Sequence, residues 1–181
     1  SLFAFDSQGL LREGRPIDEP HKRELAAPIE VLQRFGIDPA GEPTPTDVIN
    51  AVKPTILIGA TARAGTFTQP MLEAMARGTE RPIVLALSNP NTKVECAPAD
   101  AIRWTNGRAL VATGGPFDDV EYNGKRHVIG QANNVFIFPG LGLGALIAEA
   151  REVNDEMFLV ASTALASCVS SDRLAKGAMY P

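Results

Sequence analysis

The chain has 181 residues, 45% hydrophobic and 21% charged, a balance that excludes a disordered or fibrous protein and suits one domain with or without a tail. Its 17 basic residues against 21 acidic ones give a net charge of -4, which argues against a polyanionic partner such as nucleic acid. The most apolar stretch, Leu141 to Ala148, is short and broken by glycines, well below the ~18 to 20 residues that span a bilayer.

In chain order, Leu2 to Phe5 reads as a buried strand running into the turn Asp6-Ser7-Gln8-Gly9. After a polar connection, Leu25, Ile29, Leu32 and Phe35 recur at helical spacing, which predicts one helix from Lys22 to Phe35 despite Pro28. Pro39, Gly41, Pro43 and Pro45 make a loop, and Thr46-Asp47 is the expected cap of a short helix through Val52. Thr55 to Ile58 and Pro82 to Leu87 are continuous apolar runs, the mark of parallel strands covered on both faces. Between them a helix capped by Thr66 or Thr68 carries Pro70 in its first turn and Met71, Leu72 and Met75 before Gly78.

A helix through Ala99 to Trp104 and a strand through Ala109 to Ala112 continue the alternation, which predicts an α/β fold with right-handed crossovers. Asn123-Gly124 marks a hairpin between Val120 to Tyr122 and Arg126 to Val128. Helices are expected from Pro139 to about Val153 and from Asp155 to about Ser170, with a short turn near Leu174. Cys96 and Cys168 are expected to be free, buried thiols, as in a reducing compartment. The opening residues Ser1 to Asp6 carry neither a charged leader nor an initiator methionine, so a cytoplasmic piece of a longer protein is expected.

Ligands of open α/β sheets bind beyond the carboxyl ends of the strands, which directs attention to the residues that follow each strand. Asp6 stands where an acid would accept the hydroxyls of an adenosine ribose, although a solvated turn aspartate has the same look. Gly59 to Gly65 fits neither a dinucleotide fingerprint nor a P-loop; it reads either as a close approach for a ligand or as a plain strand-to-helix turn. Asn89, before Pro90, offers a donor and an acceptor without charge, suited to a nicotinamide ribose or a small acid. Gln131, Asn133 and Asn134 are further amides that suit either backbone capping or ligand contact. His21 and His127 look exposed and are too far apart for a metal site, and no metal ligands are nominated.

Taken together, Ile56-Leu57-Ile58-Gly59, Gly65-Thr66-Phe67-Thr68, Arg81 to Pro90 with its Ala-Leu-Ser-Asn-Pro end, Glu95-Cys96, Gly107-Arg108-Ala109, Gly115-Pro116-Phe117, Gly130-Gln131, Asn133-Asn134 and Phe138-Pro139-Gly140 resemble the C-terminal part of a malic enzyme over nearly the whole chain. The resemblance implies a Rossmann-like parallel sheet with helices on both faces, lacking its N-terminal strand and glycine-rich turn. It divides the chain into a partial NAD(P)-binding domain, residues 1–133, and a helical segment, residues 134–181, that packs on a catalytic domain outside this chain.

Malic enzymes oxidise malate by hydride transfer to NAD or NADP and decarboxylate the product to pyruvate with Mg or Mn. By resemblance, Asn89 and Asn134 contact substrate and the nicotinamide end, while Asn133, Ala60 and Thr61 line the cofactor. The amides would bind carboxylate and hydroxyl oxygens while the metal supplies positive charge. Asp6 and Ser7 would meet the adenosine ribose, and Lys22 would meet a 2′-phosphate, which tilts the cofactor toward NADP; the other reading makes Lys22 a solvated first-turn residue.

The family's base lysine, acid tyrosine, substrate arginine and metal-binding carboxylates lie upstream of this chain, so the chain alone is expected to be inactive. An apolar face including Met157, Phe158, Val160, Ala161 and Leu165 is expected to meet the catalytic domain, and a homo-oligomer is expected. The competing readings are the cofactor domain of another dehydrogenase and a catalytically silent nucleotide-binding or assembly module.

Overall fold

In the computed structural model, which describes residues 1–181, the continuous apolar runs become the parallel strands β3 (Ile56–Gly59), β4 (Ile83–Ala86) and β5 (Leu110–Thr113). A fourth strand, β8 (Gly130–Gln131), extends them into a parallel sheet of order β3-β4-β5-β8. In register, Leu57, Val84 and Val111 stand on one face, and Ile56, Ile83 and Leu110 on the other. The first face is packed by Met71, Leu72 and Met75 of α4 (Gln69–Gly78) and Ala101 and Ile102 of α5 (Pro98–Trp104).

The second face is covered at one end only. Residues after α8 (Ser171–Ala175) cross it: the Val128 amide donates to the Lys176 carbonyl, and Tyr180 lies against Gly130. At β3 that face is open, with Ile56 48% and Ile58 59% exposed, so the continuous apolar pattern of this edge strand does not bring burial on both sides.

The N-terminal residues build a separate cluster. Asp6 lies in β1 (Phe5–Asp6), which pairs antiparallel with β2 (Gly9–Leu10), so the expected strand is a small hairpin and stands outside the parallel sheet. The single helix expected from Lys22 to Phe35 is two short ones, α1 (Pro20–Arg23) and α2 (Ile29–Arg34). Ala27 breaks the run: its amide donates to the Leu11 carbonyl and its carbonyl accepts from the Glu13 amide. Pro28 favours this extended geometry at the preceding residue and starts the second helix.

Helix α3 (Pro45–Val52) is capped by Thr44 rather than Thr46, in a reciprocal box in which Thr44 and Asp47 each bond the other's backbone amide. Its Val48 joins the N-terminal cluster of Leu10, Ala27, Leu32 and Ile37, while Ile49 joins the sheet core, which ties the two together.

The expected hairpin is present as β6 (Val120–Tyr122) and β7 (Lys125–His127), with Asn123 and Gly124 both at positive φ. Helix α6 spans Phe138–Ile147 and ends well before the expected Val153; α7 spans Asp155–Ser167. No helix is long and apolar enough to cross a membrane.

Candidate functional site

Parallel pairing brings the residues after β3, β4, β5 and β8 to one edge of the sheet, because all four strands point the same way. The element that organises this edge is Glu95, which is wholly buried and pairs with no cation. Its Oε1 accepts from the Thr61 amide and hydroxyl, each at 2.8 Å, and from the Ser88 hydroxyl, while Oε2 accepts from the Ser88 amide at 3.3 Å. Burial pushes its pKa up, but these bonds from Ser88 and Thr61 outweigh it and hold the carboxyl below its ordinary 4.5. Gly59 lies directly beneath: a Cβ there would stand 2.6 Å from Glu95 Cγ and from Phe67 Cζ, so the position admits no side chain.

Asn89 follows the buried Ser88, is exposed, and forms a cis peptide with Pro90. The chain leaving β5 passes close beside it. A Cβ on Gly114 would run into the Leu87 carbonyl and come within 2.6 Å of Asn89 Nδ2; one on Gly115 would run into Asn91 Oδ1 and stand 3.0 Å from Asn89 Oδ1. Glycines at both places therefore let two main chains and an amide share one space. Asn91 Nδ2 donates to the Pro116 carbonyl at 2.8 Å and Thr113 Oγ1 to the Gly115 carbonyl at 2.9 Å, which holds the β5 turn against the β4 turn.

Asn133 and Asn134 follow β8, the neighbour of β5. Asn133 Oδ1 accepts from the Val135 amide at 3.0 Å and caps the 3-10 turn Asn134–Phe136, so its acceptor serves the backbone; both asparagines are exposed. Ala60 and Thr61 are also exposed, and Thr61 is bound to the Ser88 turn through Glu95.

Asp6 and Lys22 are brought together in another corner. Arg15 Nη2 donates to both Asp6 oxygens at 2.7 and 2.8 Å, the Gln8 amide donates to Oδ1 at 2.9 Å, and Lys22 Nζ lies 3.5 Å from Oδ2. Partial burial works against ionisation of Asp6, but Arg15 and the Gln8 amide prevail and lower its pKa. Lys22 also pairs with Glu19 at 2.7 Å, and this bond comes first among the causes that raise its pKa. Ser7 is exposed, and no hydrogen bond or ion pair joins this corner to the Glu95 edge.

Three expectations need correction here. His127 is buried at 6% exposure, because β7 turns it toward Tyr122 and Gly107, whereas His21 is exposed as expected. Cys168 is exposed and lines the groove between α6 and α7, whereas Cys96 is buried. Burial pushes the Cys96 thiol up to about 12, with Asp100 and Glu95 adding to the effect, which removes it as a nucleophile. Asp6 sits within a strand rather than in the turn after one.

Sequence reasoning gave no role to two residues of consequence, Arg15 and Glu95, although Glu95-Cys96 is among the motifs that carry the resemblance. Arg15 is one of two arginines, with Arg12, in a polar connection, and nothing in its surroundings announces its partner. Glu95 lies between Val94 and Cys96, both buried, and an acid flanked by apolar residues was the available signal.

Residues 1–181 match the family model for the NAD-binding domain of malic enzyme. The chain is 49% identical over 184 residues to an NADP-dependent malic enzyme of Vitis vinifera, covering 99% of this chain and 29% of that protein. It is 45% identical over 180 residues to NAD-dependent malic enzyme 1 of Vibrio vulnificus, covering 99% of this chain and 32% of the relative. NADP-dependent malic enzyme 3 of Arabidopsis thaliana is 45% identical over 181 residues, covering 93% of this chain and 31% of its own length. The chain thus spans about a third of the length of the curated relatives it matches.

Proposed function

This chain belongs to the malic enzyme family as its NAD-binding domain, and on that premise we propose that it forms the cofactor side of an active site that oxidises malate and decarboxylates the product to pyruvate. The observation that carries this reading is the Asn89 amide, held against Gly114 and Gly115 at the carboxyl edge of the parallel sheet. The edge suits a dinucleotide: its glycines leave room for close approach to main chain, and its donors include neutral amides and hydroxyls. When bound, the dinucleotide supplies the hydride acceptor. Asn89 orients substrate oxygens at its mouth, Asn134 offers a second amide from the neighbouring strand end, and Ala60, Thr61 and Asn133 line the approach.

We place the Mg or Mn site outside this chain, as the family resemblance implies. Acid, base and metal ligands belong, on this reading, to the remaining two thirds of a polypeptide of the relatives' length, and the isolated chain is inactive. In the full-length protein Asn89→Ala is expected to lower kcat/KM for malate by ~100-fold, the scale of a lost positioning contact. Steady-state turnover within threefold of the unaltered protein would overturn the reading.

Cofactor choice rests on the other corner. Arg15 and Lys22 set two cations around Asp6, and their charges are matched by Asp6 and Glu19. Lys22, 3.5 Å from Asp6, is the cation that would meet a 2′-phosphate and so favours NADP, while the ionised Asp6 suits an unphosphorylated ribose. Lys22→Gln in the full-length protein is expected to weaken NADP about tenfold relative to NAD, measured as the ratio of the two kcat/KM values. An unchanged ratio removes the support.

A further inference from the structure

Four hydrogen bonds converge on Glu95 from two loops, and their direction can be worked out atom by atom. The Ala62 amide, which can only donate, gives its hydrogen to Ser88 Oγ at 2.8 Å, so the Ser88 hydrogen is free to point at Glu95. The Thr61 hydroxyl lies 3.2 Å from Thr66 Oγ1 and 3.4 Å from the Arg63 carbonyl, but Thr66 spends its own hydrogen on that carbonyl at 2.7 Å and the Arg63 amide donates to Thr61 Oγ1 at 3.2 Å, so the charged Glu95 Oε1, nearest at 2.8 Å, takes the Thr61 hydrogen. The Phe67 amide closes the loop on the Glu95 carbonyl at 3.1 Å. Every side-chain partner of Glu95 is thus a donor, and the cage demands a group that only accepts. An ionised carboxylate meets that demand, while a glutamine would turn an NH2 toward one of the donors.

What the cage holds is the floor of the candidate cofactor cleft. One loop carries Ala60 and Thr61, and the other carries Ser88 and, next in sequence, Asn89. Glu95 itself is buried beneath both and lies out of reach of solvent. We propose that Glu95 is a positioning residue for the dinucleotide, acting as the acceptor-only pin that fixes the loop after β3 against the loop after β4 and so sets the main chain on which the cofactor rests. The inference depends on the dinucleotide reading given above, and goes beyond it by assigning a role to a group that touches neither cofactor nor substrate.

The test uses the full-length protein with Glu95→Gln and, as a milder change, Ser88→Ala, which deletes one donor and leaves the carboxylate in place. NADH and NADPH are titrated by fluorescence, kcat and both KM values are measured, and amide hydrogen exchange is followed at Thr61, Ala62 and Ser88. The expected result for Glu95→Gln is a tenfold or greater rise in the dissociation constant and KM of the preferred dinucleotide. Because the loop that Glu95 pins also carries Asn89, kcat and the KM for malate should worsen too, by a smaller factor than dinucleotide binding, and exchange at the three amides should accelerate. Ser88→Ala should shift binding in the same direction by a smaller factor and speed exchange at Ala62.

A folded Glu95→Gln protein that binds both dinucleotides within twofold of the unaltered one overturns the assignment. If that variant does not fold, a Ser88→Ala protein with unchanged binding and unchanged exchange at Ala62 overturns it equally. Failure of the unaltered protein to bind either dinucleotide would instead overturn the underlying functional reading.

Discussion

Helices α4 and α7 are both rich in apolar residues, yet they end in opposite circumstances. The ten-residue α4 buries Met71, Leu72, Ala74, Met75 and Ala76 against the sheet, whereas the thirteen residues of α7 bury none. Helix α6 buries Leu141 alone and exposes Leu146 at 77% and Ile147 at 76%. Between α6 and α7 runs an apolar groove of about 640 Å³, lined by Leu141, Gly144, Met157, Val160 and Ala161 among others.

The difference lies in the partner each helix has. A parallel sheet offers α4 a flat apolar face of matching period, while α6 and α7 have mainly each other, and three glycines on α6 leave little to pack. The exposed Phe158, Leu159 and Val160 of α7, and the open side of β3, are apolar surfaces for which this chain holds no cover. Since the relatives are about three times longer, we propose that the rest of the polypeptide supplies it.

The contrast is most directly broken by truncating one residue from each region. Leu72→Ala is expected to destabilise the chain by about 2–5 kcal/mol, because Leu72 is fully buried among Met71, Met75 and Val84. Leu146→Ala is expected to change stability by no more than about 0.5 kcal/mol, since that side chain faces solvent. Urea unfolding of the same chain measures both, and equal costs would mean that α6 is packed after all. In the full-length protein the second cost should rise if the missing residues cover this face, which sharpens the comparison into a test of where they dock.

How far the sequence reveals these matters follows the same division. Strands β3, β4 and β5 are legible because each is a continuous apolar run bounded by a turn, and the hairpin because Asn-Gly suits positive φ at both positions. Strand β8 is only two residues long and owes its existence to pairing of Ala112 with Gly130 and Thr113 with Gln131, which no local window contains. The break between α1 and α2 was written in Pro28, but the apolar spacing on either side outweighs it until the bridge from Arg12 to Ala27 is known.

At the candidate site, Asn89 is legible because it follows a strand end, where ligands of such sheets bind, and because it lies in the Ala-Leu-Ser-Asn-Pro run that carries the resemblance. The glycines at 114 and 115 are visible, but what presses on them is not. The roles of Glu95 and Arg15 are not legible because their partners, Thr61, Ser88 and Asp6, lie in other elements.

The smallest expected effect concerns pH, and it again separates the packed region from the open one. Burial lowers the pKa of His127 below the ordinary 6.5, and nearby Lys125 adds to this while Glu121 opposes it. A base whose folded pKa is lowered binds its proton more readily once unfolded. Stability therefore rises with pH between the folded value and 6.5, is complete above 6.5, and is lost as pH falls below it. His127→Gln should flatten that part of the stability profile by less than one proton, read from urea midpoints at a series of pH values from 7.5 down to about 5. An identical profile for the variant would show that the β6–β7 hairpin leaves its histidine as free to take up a proton as the unfolded chain does, and would move this hairpin from the packed side of the comparison to the open one.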